Sequence, residues 1–124
     1  SKSDIVSLHI AVTPDTINTV DDKFLSKMKN DAFLINTSRG DLVDNIALKN
    51  ALLNGEIAGA GLDVYTPEPL EKDNPLLDIR LKDKLILTPH IAGITHLTVE
   101  RIYKNILENT QNITQGKDLK NKVN

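Results

Sequence analysis

The chain has 124 residues with no Cys, 40% hydrophobic and 26% charged residues, and a formal charge of −2; the length predicts one globular domain. Because positive and negative charges nearly balance, a broad basic surface for nucleic acid or anionic lipid is excluded. The sequence has neither an apolar run of about 18 residues nor a signal-peptide pattern, so no membrane location is predicted. The absence of Cys excludes disulfides and thiolate chemistry and is compatible with a cytoplasmic protein.

Four short apolar segments have the composition of parallel β-strands that are buried on both faces. They span residues 4–10, 32–36, 58–64 and 84–88. Such strands need connecting segments of another kind, and the sequence between and after them supplies these.

Helical periodicity appears in three of the remaining segments. Phe24, Leu25 and Met28 mark a first helix, and a second helix runs from Ile46 to Leu53 and ends at Asn54-Gly55. A long third helix is predicted over 95–115, with Thr95 as its N-cap and Gly116 after its end. The Pro-containing segment 66–83 is predicted as a loop, and 117–124 as a polar, frayed tail.

This order of strands and helices predicts an open α/β sheet. Ligands of such sheets bind beyond the carboxyl ends of the strands. Arg39, Glu68 and His90 follow the second, third and fourth strands and therefore converge on that edge. Singly, each has an ordinary interpretation as an ion-paired Arg, a solvent-facing Glu or a His packed in a loop. Their coincidence at one edge favours a ligand site.

The same strand ends carry motifs in a fixed order and spacing. They are Ser-Asp-Ile-Val-Ser-Leu-His at 3–9, Asn-Thr-Ser-Arg-Gly-Asp-Leu-Val-Asp at 36–44, Ala-Gly-Ala-Gly-Leu-Asp-Val-Tyr at 58–65 with Glu68-Pro69, Asn-Pro-Leu-Leu at 74–77 and Leu-Thr-Pro-His-Ile-Ala-Gly at 87–93. From about Ser3 to Gly116 the chain resembles the C-terminal half of the D-isomer-specific 2-hydroxyacid dehydrogenase family. The resemblance implies a Rossmann-like parallel sheet, in which 1–116 form the C-terminal part of an NAD(P)-binding domain and 117–124 a tail.

The resemblance also assigns catalytic roles. It implies that Arg39 holds the substrate carboxylate and carbonyl through its planar guanidinium. His90 corresponds to the general acid/base at the C2 hydroxyl. Glu68 corresponds to the carboxylate that orients this histidine and favours its imidazolium form.

The cofactor implied by the resemblance is NAD, with NADP left open. Asp63 corresponds to an aspartate beside the nicotinamide. The implied cofactor contacts are His9, Thr13, Thr37, Ser38, Arg39, Asp63, His90, Ala92 and Gly93. The implied substrate is a small 2-hydroxy or 2-keto acid, of the glycerate, hydroxypyruvate or phosphoglycerate type, and the expected assembly is a homo-oligomer, a dimer.

Two departures from the family pattern bear on function. Ala11 replaces the Pro of a His-x-Pro-x-Thr motif, and no Gly-x-Gly-x-x-Gly pyrophosphate loop occurs. Because Met28 is also the only Met, we expect the chain to be a piece of a longer enzyme that binds dinucleotide weakly and turns over nothing alone. The strand at 4–10 then becomes an uncovered edge that predicts self-association.

Two other interpretations of the sequence are open. A corepressor-like protein that binds NAD(H) without turnover is the alternative, and an inert fragment is a third possibility. A metal site is not predicted, because His96 and Glu100 are the only such pair at helical spacing. His96 itself is interpreted as a solvated or capping residue.

Overall fold

A computed structural model describes residues 2–121 and contains one parallel sheet. Its strands lie in the order β1-β2-β3-β4, with all three pairings parallel. The strands are β1 (Ile5–Leu8), β2 (Phe33–Asn36), β3 (Gly59–Leu62) and β4 (Leu85–Leu87), and the α-helices are α1 (Asp22–Leu25), α2 (Asn45–Asn54) and α3 (His96–Thr114). The predicted α/β class and the predicted positions of the four strands are thereby confirmed.

Capping side chains explain where the helices begin and end. Asp44 accepts hydrogen bonds from the N–H groups of Ile46 and Ala47 at the start of α2, as expected of an N-cap. The helix ends at Gly55, whose φ of 72° is a left-handed conformation that glycine adopts without a Cβ clash. Thr95 caps α3 as predicted, by accepting from the N–H of Thr98.

The hydrophobic core lies on one face of the sheet. Leu25 of α1, Leu34 of β2 and Leu48 of α2 are fully buried in a single cluster. On the opposite face Phe33 is 48% and Ile86 70% exposed. The prediction of strands buried on both faces is therefore wrong for this chain: the continuous apolar strands are covered on one side only by elements of their own unit.

The segment 66–83 is more ordered than a plain loop. It contains two short 3₁₀ helices, Pro75–Leu77 and Ile79–Leu81, whose N-caps Asn74 and Asp78 accept backbone N–H bonds. Leu76 and Leu81 are buried in the core cluster. The sequence signal for these turns is weak because a 3₁₀ helix of three residues has no apolar periodicity.

The chain divides into two compact units, the first ending at Ile91 and the second beginning at Ala92. In the second unit the described part of the predicted tail is bonded to α3: the backbone of Lys120 donates to and accepts from the Asn109 side chain, and its Nζ lies 2.5 Å from Glu108 Oε1. No helix within residues 2–121 is long and apolar enough to cross a membrane.

Candidate active site

The carboxyl ends of β2 and β3 are organised by the buried side chain of Asn36. Its Nδ2 donates to the carbonyl of Arg39 at 2.8 Å, and its Oδ1 accepts from the N–H of Ser38 at 3.0 Å. The Asn36 carbonyl accepts from the N–H of Asp63 at 2.9 Å. The fully buried side-chain amide of Asn36 therefore shapes the turn that carries Arg39, and its main-chain carbonyl connects this turn to the end of β3.

Glu68 and His90 form a hydrogen-bonded pair. Glu68 Oε2 lies 2.8 Å from Nδ1 of His90, and Oε1 accepts from the N–H of Tyr65 at 2.8 Å. The hydrogen bond from His90, followed by that from the Tyr65 N–H, holds the pKa of the Glu68 carboxyl below its ordinary value. The carboxylate thus accepts from Nδ1–H, and Nε2 is left as the ring nitrogen for a ligand.

Hydrogen bonds to the buried side chain of Asp63 hold the backbone around His90. His90 has a φ of 55°, in the left-handed region. The buried Oδ1 of Asp63 accepts from Thr88 Oγ1 at 2.5 Å and from the N–H of Ile91 at 2.9 Å. Asp63 therefore fixes residues on both sides of His90, and this arrangement offsets the cost of the left-handed conformation.

Arg39 shares a cleft with this pair. The cleft has a volume of about 290 Å³, and its lining includes Arg39, Gly40, Tyr65, Glu68 and His90. Arg39 Nη1 donates to the carbonyl of Ser38, and within residues 2–121 its guanidinium forms no ion pair. A guanidinium without a counterion in the described part of the chain, beside a hydrogen-bonded carboxylate and imidazole, suits an anionic ligand that carries an exchangeable proton.

The remaining residues predicted for the cofactor are distributed along the same edge and beyond it. Thr37 is exposed, whereas the hydroxyl of Ser38 donates to the carbonyl of Ile10 at 2.7 Å. His9 Nε2 lies 2.9 Å from Ser7 Oγ, and the N–H of Thr13 donates to Thr16 Oγ1. Ala92 and Gly93 belong to the second unit, and their part in cofactor binding stays a prediction, as do the roles of the other residues.

Sequence reasoning assigned no role to three residues that build the site: Asn36, Tyr65 and Thr88. Asn36 was recognisable as a polar residue at the inward-facing end of an apolar strand. Tyr65 and Thr88 had no such signal, because the hydroxyl of Tyr65 finds its partner 23 residues away. In the described residues no three His, Asp or Glu side chains are grouped as metal ligands.

Comparison with known proteins identifies the family. Residues 1–92 match the family described as "D-isomer specific 2-hydroxyacid dehydrogenase, NAD binding domain". The chain belongs to this family. The match covers most of the chain, including the motifs that carry Arg39, Glu68 and His90.

Individual relatives agree with the family assignment. A glyoxylate reductase of Korarchaeum cryptofilum is 42% identical over 99% of this chain and 36% of its own length. A glycerate dehydrogenase of Methylorubrum extorquens is 42% identical over 94% of this chain and 37% of its own length. The chain thus spans little more than a third of the length of these curated relatives.

A solved structure supports the assignment of the fold. It is the NAD-complexed form of a D-isomer specific 2-hydroxyacid dehydrogenase from Lactobacillus delbrueckii ssp. bulgaricus, and it superposes with a TM-score of 0.88 at 34% identity. The similarity covers 98% of this chain and 40% of that one. The predicted Rossmann-like, NAD-binding fold is confirmed by this match.

Proposed function

We propose that this chain supplies the proton-transfer and carboxylate-binding groups of a dehydrogenase that interconverts D-2-hydroxy acids and 2-keto acids. The observation that carries the proposal is the 2.8 Å hydrogen bond between Glu68 and His90 in a cleft that Arg39 also lines. A carboxylate-oriented imidazole next to a guanidinium that forms no ion pair within residues 2–121 matches what a 2-hydroxy acid presents, a carboxylate beside a hydroxyl.

In the proposed reaction Arg39 binds the substrate carboxylate through two parallel N–H donors. Nε2 of His90 accepts the proton of the C2 hydroxyl during oxidation and returns it to the C2 oxygen during reduction. Glu68 accepts from Nδ1, so it fixes the ring orientation and stabilises the imidazolium that forms. A bound nicotinamide would supply the acceptor of the C2 hydride for oxidation and its donor for reduction.

The residues present fit one part of a dinucleotide site. The cleft lies beyond the carboxyl ends of parallel strands, where this fold binds nucleotides. Thr37 is an exposed residue, and its hydroxyl offers a hydrogen-bonding group for the cofactor. Asp63 is buried and its Oδ1 already accepts two internal bonds, so we assign it first to holding the His90 backbone and second to the nicotinamide.

We propose NAD as the cofactor, a small 2-keto acid of the hydroxypyruvate type as the substrate, and the cytoplasm as the location. A homodimer is proposed as the assembly of the enzyme. Self-association of this chain is proposed separately, because β1 is an edge strand of its sheet with Ile5 63% exposed. The dinucleotide-binding corepressor remains the less favoured alternative, because binding alone does not require an acid/base pair.

A chimera tests the proposed function. This chain replaces the matching 37% of the Methylorubrum extorquens glycerate dehydrogenase, and oxidation of NADH or NADPH is measured with hydroxypyruvate and with pyruvate. We expect turnover that falls at least about hundredfold in His90→Asn, since asparagine tolerates a positive φ but transfers no proton. The matched control His96→Asn keeps full activity.

Two outcomes contradict the proposal. One is unchanged turnover in the His90→Asn chimera, and the other is NADH binding without turnover in a folded chimera, which supports the regulatory alternative. Circular dichroism and fluorescence of bound NADH separate a misfolded chimera from an inactive one. The 124-residue chain alone is expected to bind NADH weakly and to show no turnover.

A further inference from the structure

Tyr65 lies where two sets of hydrogen bonds around His90 meet. Its backbone N–H donates to Oε1 of Glu68 at 2.8 Å, and the other oxygen of Glu68 accepts from Nδ1 of His90. Its side-chain hydroxyl donates to the carbonyl of Thr88, with the carbonyl of Leu62 at 3.1 Å. The backbone and side chain of one residue thus reach two different partners of His90.

The two sets form a closed path. The Thr88 carbonyl that accepts from the Tyr65 hydroxyl also accepts from the backbone N–H of His90 at 3.0 Å. His90 is therefore connected to Tyr65 through its ring, by way of Glu68, and through its backbone, by way of Thr88. Together, the connection to the ring and the connection to the backbone restrict the imidazole more than either connection does alone.

From this geometry we propose that Tyr65 is a positioning residue, which sets the imidazole of His90 through Glu68 and its backbone through Thr88. The proposal rests on the proposed function of His90 as the acid/base. Tyr65 lines the cleft, but its hydrogen bonds go to Glu68 and to the carbonyls of Leu62 and Thr88, so it acts on His90 through these partners. Its contribution is to hold the acid/base pair in one geometry before the ligand arrives.

The surroundings of Tyr65 keep it in this role. Burial, and next the nearby charge of Asp63, raise the pKa of the Tyr65 phenol, so the hydroxyl remains a donor at neutral pH. A Cβ at Gly40 would lie only 2.0 Å from the Tyr65 carbonyl carbon, so the residue after Arg39 packs directly on the Tyr65 backbone. Tyr65 consequently also sets the position of the turn that carries Arg39.

The test uses nuclear magnetic resonance on the 124-residue chain, with Tyr65→Phe as the variant. Phenylalanine keeps the ring and the backbone N–H and removes only the hydroxyl. The hydroxyl holds the Thr88 carbonyl, which also accepts from the His90 N–H, so its loss should loosen the hydrogen bond between His90 and Glu68. We therefore expect the midpoint of the Glu68 carboxyl titration, followed by ¹³C shifts, to move upward toward its ordinary value. We also expect exchange of the His90 backbone N–H to become about fivefold faster, the effect of losing one hydrogen bond.

A merely structural role would speed exchange throughout the first unit and leave the Glu68 midpoint unchanged. Tyr103→Phe is the matched control, because Tyr103 is an exposed residue of α3; it should change neither quantity. Unchanged Glu68 titration and His90 exchange in a folded Tyr65→Phe chain would overturn the proposal.

A measurement on the unaltered chain serves where Tyr65→Phe does not fold. The Tyr65 hydroxyl proton should be protected from exchange and should show nuclear Overhauser effects to the N–H of His90. Absence of a protected hydroxyl proton overturns the proposal. None of these measurements depends on turnover. A folded, NADH-binding chimera without turnover would refute the acid/base function of His90, whereas the measurements on this chain test separately whether Tyr65 sets the position of His90.

Discussion

Glu68 and His90 are 22 residues apart in the sequence, yet Oε2 of one lies 2.8 Å from Nδ1 of the other. The two side chains come from segments that follow β3 and β4, neighbouring parallel strands. Parallel strands deliver their carboxyl ends to the same edge. The pairing is thus a product of topology, and the chemistry proposed for the chain depends on it.

The first prediction concerns this pair. Removing the imidazole with His90→Asn should raise the pKa of Glu68 toward its ordinary value, because the hydrogen bond from His90 is the largest cause of its depression. A group whose pKa is lowered by folding stabilises the fold above its unfolded pKa, and the contribution is lost as the pH falls through the folded pKa. The ¹³C titration of Glu68 measures the shift directly.

When the pH falls below about 4.5, the free energy of unfolding should therefore decrease less in this variant than in the unaltered chain. Urea unfolding of the two chains at neutral and acidic pH checks this. His96→Asn is the matched control, since His96 begins α3 in the other unit. A Glu68 midpoint that stays depressed without the imidazole would contradict the prediction.

A second prediction concerns the guanidinium of Arg39. Arg39→Lys keeps the charge but replaces a planar pair of donors by a single ammonium, so kcat/KM of the chimera for hydroxypyruvate should fall about 10- to 100-fold. The KM for NADH should change less than kcat/KM for hydroxypyruvate does, because the substrate carboxylate is the group that loses the bidentate contact. Arg101→Lys on exposed α3 is the control, and equal losses in both variants would refute the assignment.

Gly40 provides a third prediction, on stability. A methyl group there would overlap backbone atoms of Tyr65, and these atoms cannot move away as the end of a flexible side chain can. Gly40→Ala should lower the free energy of unfolding by about 3 kcal/mol. Chemical denaturation measures the change.

Gly61→Ala is the matched control for Gly40→Ala. Its Cβ would meet only the Cδ1 of Ile35, at 3.3 Å, and the expected cost is below about 1 kcal/mol. Similar costs at the two glycines would show that the contact with Tyr65 does not constrain the fold.

The fourth prediction addresses assembly. The edge strand β1 presents Ile5, so light scattering of the concentrated chain should detect dimers or larger species. Ile5→Lys should shift the population to monomers, because a charge on an edge strand opposes pairing. Ile79→Lys, at an exposed isoleucine outside the sheet, should leave the association unchanged.

The strand positions and two helix ends could be predicted because their causes are local. Apolar runs located β1 to β4, Asn54-Gly55 located the end of α2, and Thr95 located the start of α3. The gathering of Arg39, Glu68 and His90 followed from parallel topology once the strands were known. These inferences needed no contact between distant side chains.

Long-range contacts set the limit of such prediction. The closed path through Tyr65 depends on the carbonyl of Thr88, and the turn at Arg39 depends on the fully buried Asn36. The exposed sheet face shows a different limit, because an apolar strand pattern does not reveal whether its cover lies in the same folded unit. Phe33 and Ile86 look like core residues in the sequence and are exposed in the fold.

The one-sided core also bears on what the geometry of the site requires. Leu25, Leu34 and Leu48 pack on the face of the sheet opposite to Phe33 and Ile86, so the first unit has a core of its own. Glu68 and His90 both belong to this unit and are hydrogen-bonded within it, so their contact requires no cover over the open face. The open apolar face is therefore available for contacts that need not disturb this pair.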